Sequence, residues 1–217
     1  MVDVIVLGLL AFVVCEAVVI GIGWCLGLLD EKLPDGYEEW LGLPPLSEAD
    51  KKLIDKNREL LRGKFPEGNM GETLRSMSRE DRIKLLIDIL EEASKNYDVE
   101  ISSVKFAPTD EIGYGCYGYY AHGDNRIVLN LDMVCCDDAR ALSEIIDTVF
   151  HELRHAQQYR VVTDENYDYG TDEQRLKWGL NFMLGHYIRP EVDFEMYQQQ
   201  AIEADARQVA NESTKDF

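Results

Sequence analysis

A long apolar run near the amino terminus is the feature that most restricts how this chain can fold. Between Val4 and Leu29 the only charged residue is Glu16. About 20 consecutive apolar residues are enough to cross the hydrocarbon core of a bilayer as a helix. The run therefore predicts a transmembrane anchor over residues 1–30 and a single-pass membrane protein. A cleaved signal peptide and a helix buried in a protein core are the alternatives.

The charges around this run favour the anchor but give its orientation only weakly. A signal peptide normally begins with a positively charged region, whereas no Lys or Arg precedes Lys32. The basic residues that follow are Lys51, Lys52 and Lys56. Because basic residues are enriched on the cytoplasmic side of a membrane, they favour a cytoplasmic domain, and the side stays open.

The overall charge excludes one broad class of partner. The chain has 41 Asp and Glu against 22 Lys and Arg, which gives a net charge of −19 over 217 residues. A surface this acidic repels phosphate backbones, so no nucleic acid partner is expected. The five cysteines are odd in number and show no C-x-x-C spacing, so a disulfide framework is not expected either.

The rest of the chain divides into a linker and one domain. Residues 31–46 are predicted to be a linker because they contain several residues that interrupt regular structure: Pro34, Gly36, Gly42, Pro44 and Pro45. Residues 47–217 are predicted to form the domain, with a helical lead-in over 47–98 and a core over 99–210.

Cap residues and hydrophobic spacing predict the elements of this domain. Helices are predicted over 47–62, 78–95 and 138–160, then from 171 to just before 189, and over 191–210. A loop is predicted between the first two helices. One strand is predicted over 99–106, and a β-hairpin joins residues 114–121 to 126–131. Helices, then strands, then further helices are typical of the α+β class.

One motif within the predicted 138–160 helix is typical of a catalytic metal site. It is H-E-x-x-H, formed by His151, Glu152 and His155. Residues four apart share one face of a helix, so both imidazoles can reach a single ion. Zinc accepts histidine nitrogens, and a catalytic site leaves its fourth position to water. Glu152 is then the candidate general base.

The segment from Gly113 to Ala210 resembles the zincin metallopeptidases, specifically small gluzincin-like domains. A hairpin precedes the active-site helix, the motif reads H-E-L-x-H, and a later stretch contains E-x-D-A. The resemblance implies a small sheet with a hairpin packed on the active-site helix, a Zn²⁺ cofactor and a peptide or protein substrate. It also implies peptide-bond hydrolysis by a zinc-activated water with Glu152 as general base.

The resemblance further implies a third zinc ligand from a downstream helix. Glu203 is the candidate, because a carboxylate is a normal zinc ligand. His186, Glu195 and Asp172 are the alternatives. Asp205 lies two residues after Glu203, roughly on the opposite helical face, so its role beside the metal stays open.

A peptidase of this kind also needs a hydrogen-bond donor for the developing oxyanion. Tyr197, His186 and Tyr169 are the candidates, and the sequence does not rank them. Asp147 lies one turn before His151 and is a candidate to orient a ligand histidine. Two other functions stay open: a zinc-bearing sensor or binding module without catalysis, and a structural membrane protein with a chance H-E-x-x-H.

Overall fold

The structure, a computed structural model, describes residues 45–182 and 187–217. The predicted anchor, nearly all of the predicted linker and His186 lie outside the described residues. Among the described helices, none has the length and apolar character needed to cross a membrane.

The described chain is mostly helical and contains one small sheet. The first three helices are α1 (Glu48–Lys64), α2 (Met70–Ser76) and α3 (Arg79–Asn96). The sheet region contains β1 (Ser103–Ala107), α4 (Thr109–Ile112), β2 (Gly118–Ala121) and β3 (Arg126–Asn130). The helices that follow are α5 (Leu131–Cys135), α6 (Ala139–Thr163), α7 (Asp172–Phe182), α8 (Phe194–Gln199) and α9 (Ala201–Thr214). The predicted mixed α+β class is confirmed.

The predicted helix starts are confirmed where cap residues indicated them. Ser47 and Asp50 form a capping box at the start of α1, in which each side chain accepts a hydrogen bond from the backbone N–H of the other residue. Ser78 accepts a hydrogen bond from the backbone N–H of Asp81 at the start of α3. The start of α7 is capped by a similar exchange of hydrogen bonds.

Two predictions before the sheet are wrong. The predicted loop between α1 and α3 contains α2, in which Gly71 lies so close to α6 that an added Cβ would meet the Ala139 carbonyl oxygen at 2.0 Å. The predicted strand from Val99 begins only at Ser103. The reason is that Asp98 takes a left-handed conformation after α3, with φ of 52°. This residue closes the helix in a Schellman-type turn before the strand starts.

The predicted carboxy-terminal helices are also partly wrong. The helix predicted over 191–210 is two helices, α8 and α9, because Gln200 between them has extended backbone with ψ of 140°. The Gln200 side chain accepts from the Ile188 N–H and donates to the Ile188 carbonyl, both at 2.7 Å. Residues 187–189 are therefore held in a non-helical conformation, so the helix predicted to run from Thr171 to just before Arg189 ends before residue 187.

The sheet has the order β1-β3-β2. β1 is parallel to β3, and β2 is antiparallel to it, so the predicted hairpin between β2 and β3 is confirmed. The central part of β3 is fully buried, and β2 and β3 pack against α6. β2 forms one edge of this sheet, and its outer side has no strand partner among the described residues.

α6 runs through the core of the domain. It contacts α9, α2, α3, α7 and the hairpin. Its predicted apolar face is confirmed as fully buried: Ile145, Ile146, Val149, Phe150 and Leu153. This face fixes the rotation of α6 about its axis, and that rotation determines where the H-E-x-x-H side chains point.

A charged side chain lies inside this core. Arg154, between the two motif histidines, is fully buried. Its Nε and Nη2 donate to the two carboxylate oxygens of Asp205 on α9, at 2.7 and 3.1 Å. Nη2 also donates to Asp50 on α1, at 2.6 Å. The guanidinium lies over the Trp178 ring at 4.8 Å from its centroid. One cation thus joins α1, α6 and α9.

We expect acid to weaken the fold through Asp50. Burial favours the protonated form of Asp50, yet Arg154 and the hydrogen bonds from Gln174 and Ser47 outweigh it and hold the pKa of Asp50 below its usual value. A carboxyl whose pKa is lowered by folding contributes stability above its unfolded pKa of about 3.9. That contribution is lost as the pH falls through the lower, folded pKa.

Urea unfolding of the full chain in mild detergent, at a series of pH values from 7 to 3, measures this effect. Asp50→Asn should be less stable than wild type at pH 7 and should lose less stability on acidification. Asp81→Asn is the matched control, because Asp81 has the same place at the start of α3 but is exposed. Parallel pH profiles for wild type and Asp50→Asn would contradict the assignment.

Candidate metal centre

The two motif histidines lie side by side on α6. Their Nε2 atoms are 3.0 Å apart, and both side chains are largely buried. The two rings meet edge to face, with centroids 4.6 Å apart. His151 and His155 therefore direct one nitrogen each to the same point, as residues four apart on a helix can do.

Glu203 on α9 brings a carboxylate to this point. Its Oε2 lies 3.4 Å from Nε2 of His151, and its Oε1 lies 3.6 Å from Nε2 of His155. One ligand atom from each of the three residues lies within 4.8 Å of the others. The structure thus brings together a buried group, His151, His155 and Glu203, that could hold a metal ion.

α9 packs along α6 and has several small buried side chains. Ala201, Ala206 and Ala210 are fully buried. Alanine lets two helix backbones approach closely because it has no side chain beyond Cβ. The break at Gln200 starts α9 afresh, so that Glu203 lies in the first turn of the helix.

The electrostatics of the group favour a bound cation. Glu203 Oε2 is buried and has no hydrogen-bond partner, whereas Oε1 accepts from the Tyr187 hydroxyl at 2.8 Å. Burial favours the neutral carboxyl, but His155 and His151 outweigh it and hold the pKa of Glu203 well below its usual value. Burial likewise opposes the charged form of His155, but Glu203 outweighs it and raises the pKa of His155 to about 9. A buried, ionised carboxylate with an unpartnered oxygen is a suitable ligand for a metal.

Glu152 lies between this group and the edge strand β2. It is almost completely buried, and the backbone amide of Tyr120 on β2 lies near enough to favour its charged form. Burial raises the pKa of Glu152, and Glu203 adds to this, whereas the two motif histidines oppose it. Gly118 lets β2 lie close to α6, because an added Cβ would meet the Thr148 side chain of α6 at 2.9 Å.

No family model, curated protein or solved structure matches this chain. The resemblance to zincins therefore stays a prediction from the motif residues.

The other candidate ligands are not part of the group. Asp172 and Glu195 lie outside the His151, His155 and Glu203 group, and His186 lies outside the described residues. Asp147 accepts a hydrogen bond from Thr214 at 2.9 Å.

Of the candidate oxyanion donors, Tyr197 lies at the group and Tyr169 does not. Tyr197 lies close enough to Glu203 for the carboxylate to act on its phenol, and its ring lies edge-on to that of Tyr187, with the centroids 6.2 Å apart. Burial and the Glu203 carboxylate raise the pKa of both phenols, so each keeps its hydroxyl proton at neutral pH. Tyr169 instead bonds Asp50 and Arg154 in the buried ion network.

The sequence analysis missed two residues that contact the group. Tyr187 bonds Glu203 from a non-helical segment, and no periodicity or cap marks its position. Gln158 accepts a hydrogen bond from Nδ1 of His155 at 2.9 Å. This residue was detectable in principle, since residues three apart on a helix are neighbours.

Replacing Glu203 should weaken metal binding. In Glu203→Ala only the two histidines remain, so we expect affinity for Co²⁺ to fall by about a hundredfold or more, beyond the usual effect of losing an outer-shell partner. Titration of the full chain, followed by visible absorption, measures it. Glu195→Ala is the control, because Glu195 is acidic and nearby in sequence but outside the group. Unchanged affinity in Glu203→Ala would contradict Glu203 as the third ligand and direct the search to His186, which lies outside the described residues.

Proposed function

We propose that the protein is a zinc-dependent metallopeptidase. The observation that carries the proposal is the convergence of His151, His155 and Glu203 next to the buried carboxylate of Glu152. Three protein ligands and one adjacent carboxylate are the minimum that zinc-assisted peptide hydrolysis requires. The proposal would make Glu152 the catalytic base and the other three residues the ligands.

The spacing of the ligand atoms supports zinc as the metal. Two ligand atoms bound at about 2.0–2.1 Å to one ion at the tetrahedral angle lie about 3.4 Å apart. The two nitrogens are 3.0 Å apart, one Glu203 oxygen lies 3.4 Å from His151 Nε2, and the other Glu203 oxygen lies 3.6 Å from His155 Nε2, and each of these distances is close to that value. Two imidazoles and one carboxylate also suit zinc better than calcium or magnesium, which prefer oxygen ligands alone.

The chemistry divides between the metal and the protein. When bound, zinc supplies a Lewis acid that polarises the scissile carbonyl and makes water acidic enough to attack at neutral pH. Glu152 accepts a proton from the attacking water on its carboxylate and delivers it to the nitrogen of the departing amine. The backbone of β2 lies beside that carboxylate at Tyr120.

The edge of β2 supports a peptide as the substrate. An extended peptide can add to an exposed strand edge through backbone hydrogen bonds, without regard to its sequence. The outer side of β2 is such an edge, and Tyr120 on this strand lies close to Glu152. A peptide lying along β2 would therefore present its backbone carbonyls near the metal. The net charge of −19 favours basic over acidic substrates.

We further propose that the apolar run over residues 1–30 anchors this enzyme in a membrane as a single span. The proposal depends on the sequence alone, since those residues are not described. Sedimentation of membranes from expressing cells, before and after alkaline washing, tests it. An integral protein stays in the pellet after the wash, whereas a peripheral or free protein is released to the supernatant.

Glu152→Gln should abolish peptide hydrolysis and retain the metal. The amide cannot accept the proton, so we expect kcat to fall by about 10²–10⁴-fold, the usual contribution of a general base. A quenched-fluorescent peptide library and elemental analysis of the same preparation provide both measurements. Glu144→Gln is the matched control, because Glu144 lies on the same helix but is largely exposed.

The hydrolysis and metal measurements distinguish a peptidase from a metal-binding module and from a chance motif. Turnover by Glu152→Gln equal to wild type would refute the assigned role. A wild-type protein with about one zinc per chain and no hydrolysis of any library member would indicate a binding module. A wild-type protein without metal, and with none bound after zinc is added, would reduce the motif to coincidence.

Tyr197→Phe should lower kcat by about tenfold or more and leave metal affinity within threefold of wild type. The reason is that the Tyr197 hydroxyl supplies a donor for the oxyanion, and one such donor is worth about 10²–10³-fold at most. Tyr187→Phe is the comparison, because that hydroxyl is already bonded to Glu203 at 2.8 Å. Equal kcat values for Tyr197→Phe and wild type would remove Tyr197 from the mechanism.

A further inference from the structure

We propose that Gln158 is a positioning residue that fixes the ring of His155 in the tautomer able to bind a metal, and that the buried Arg154–Asp205 ion pair holds Gln158 in place. This inference rests on the metal centre of the proposed function, but not on the reaction. It assigns a role to the residues of α6 that lie next to the motif histidines.

The orientation of the Gln158 amide follows from its partners. Its Nε2 donates to Asp205 Oδ2 at 2.7 Å and to the Ile202 carbonyl at 3.0 Å. A carboxylate and a carbonyl can only accept hydrogen bonds, so the NH₂ end of the amide must face them. The oxygen end must therefore face His155, whose Nδ1 lies 2.9 Å away. The reverse orientation would place an oxygen against two other oxygens.

The orientation of this amide determines the state of the ring. Because the Gln158 oxygen is an acceptor, Nδ1 of His155 must carry the hydrogen. With Nδ1 keeping its hydrogen, Nε2 is the nitrogen that can give up a proton and bind a metal, and Nε2 is the atom that faces His151 and Glu203. A histidine that binds metal through one nitrogen is usually held by an acceptor at the other. Gln158 supplies that acceptor.

The ion pair explains why Gln158 cannot turn. Asp205 receives two hydrogen bonds from Arg154 in addition to the one from Gln158, and all three side chains are fully buried. Arg154 is itself bonded to Asp50 on α1. Asp205 therefore keeps its acceptor oxygens directed at Gln158.

The neighbouring Gln157 provides a matched control. It is also a buried glutamine on α6, and it accepts from Arg154 Nη1 at 2.6 Å and donates to the Tyr97 carbonyl at 2.9 Å. Its partners thus include the same arginine but not a motif histidine. A substitution at Gln157 disturbs packing and the ion network in the same way as one at Gln158, without touching the ring of His155.

The test compares Gln158→Met with Gln157→Met in the full chain. Methionine keeps the length of the side chain and removes both hydrogen-bonding groups. We expect Co²⁺ affinity to fall by about 10–100-fold in Gln158→Met, and to stay within threefold of wild type in Gln157→Met. Urea unfolding of the metal-free proteins shows whether the two variants lose similar stability. Equal Co²⁺ affinities in the two variants would overturn the inference and leave the metal centre intact.

A measurement on the wild-type protein keeps the inference testable if Gln158→Met does not fold. Nitrogen-15 NMR of the histidine side chains, with Zn²⁺ bound, identifies which nitrogen of His155 carries hydrogen. We expect a proton on Nδ1 that exchanges slowly with solvent, and the metal on Nε2. Metal on Nδ1 would overturn the inference, and failure of the wild type to bind Zn²⁺ would overturn both this inference and the proposed function.

Discussion

The buried guanidinium of Arg154 is the interaction on which the rest of the structure depends. It is paired with Asp205 on α9 and with Asp50 on α1, and none of these side chains is exposed to solvent. Removing one partner of such a group leaves a buried charge without compensation, which typically costs about 3–5 kcal/mol. The pairing therefore restricts how α1 and α9 can pack against α6. The same restriction places Glu203, two residues before Asp205, against the motif histidines.

The two buried carboxylates of α9 differ in whether they can bind a cation. Glu203 has one oxygen bonded to Tyr187 and the other unpartnered, while each motif histidine directs Nε2 to the same point. Asp205, in contrast, has its acceptors occupied by Arg154 and Gln158. Asp205 therefore neutralises the buried Arg154, whereas Glu203, which has no guanidinium partner, is free to bind a metal.

The features that the sequence predicted are those with a local cause. Capping pairs such as Ser47 with Asp50 mark helix starts through contacts three residues apart, and the H-E-x-x-H spacing places two imidazoles on one face of α6. The hairpin follows from its turn residues. Each of these depends on neighbours in the chain, so a single sequence contains the information.

The features that the sequence did not predict have distant causes. The break between α8 and α9 depends on the Gln200 side chain bonding to Ile188, twelve residues away. An arginine on a helix is normally expected to face solvent. The burial of Arg154 is stabilised by carboxylate partners that lie 51 and 104 residues away in the sequence. Asp205 was placed on the face opposite Glu203, yet both carboxylates reach α6.

The position of Asp50 has a consequence for how the domain can be shortened. Asp50 lies in the first turn of the first described helix, four residues before the apolar contact made by Ile54. From this carboxylate a continuous series of hydrogen bonds runs through Arg154, Asp205 and Gln158 to the ring of His155. A protease that trimmed the chain past this turn would therefore act on the metal centre from a distance, by leaving the arginine with one carboxylate instead of two. The first turn of α1 therefore helps to hold the metal-binding residues in place.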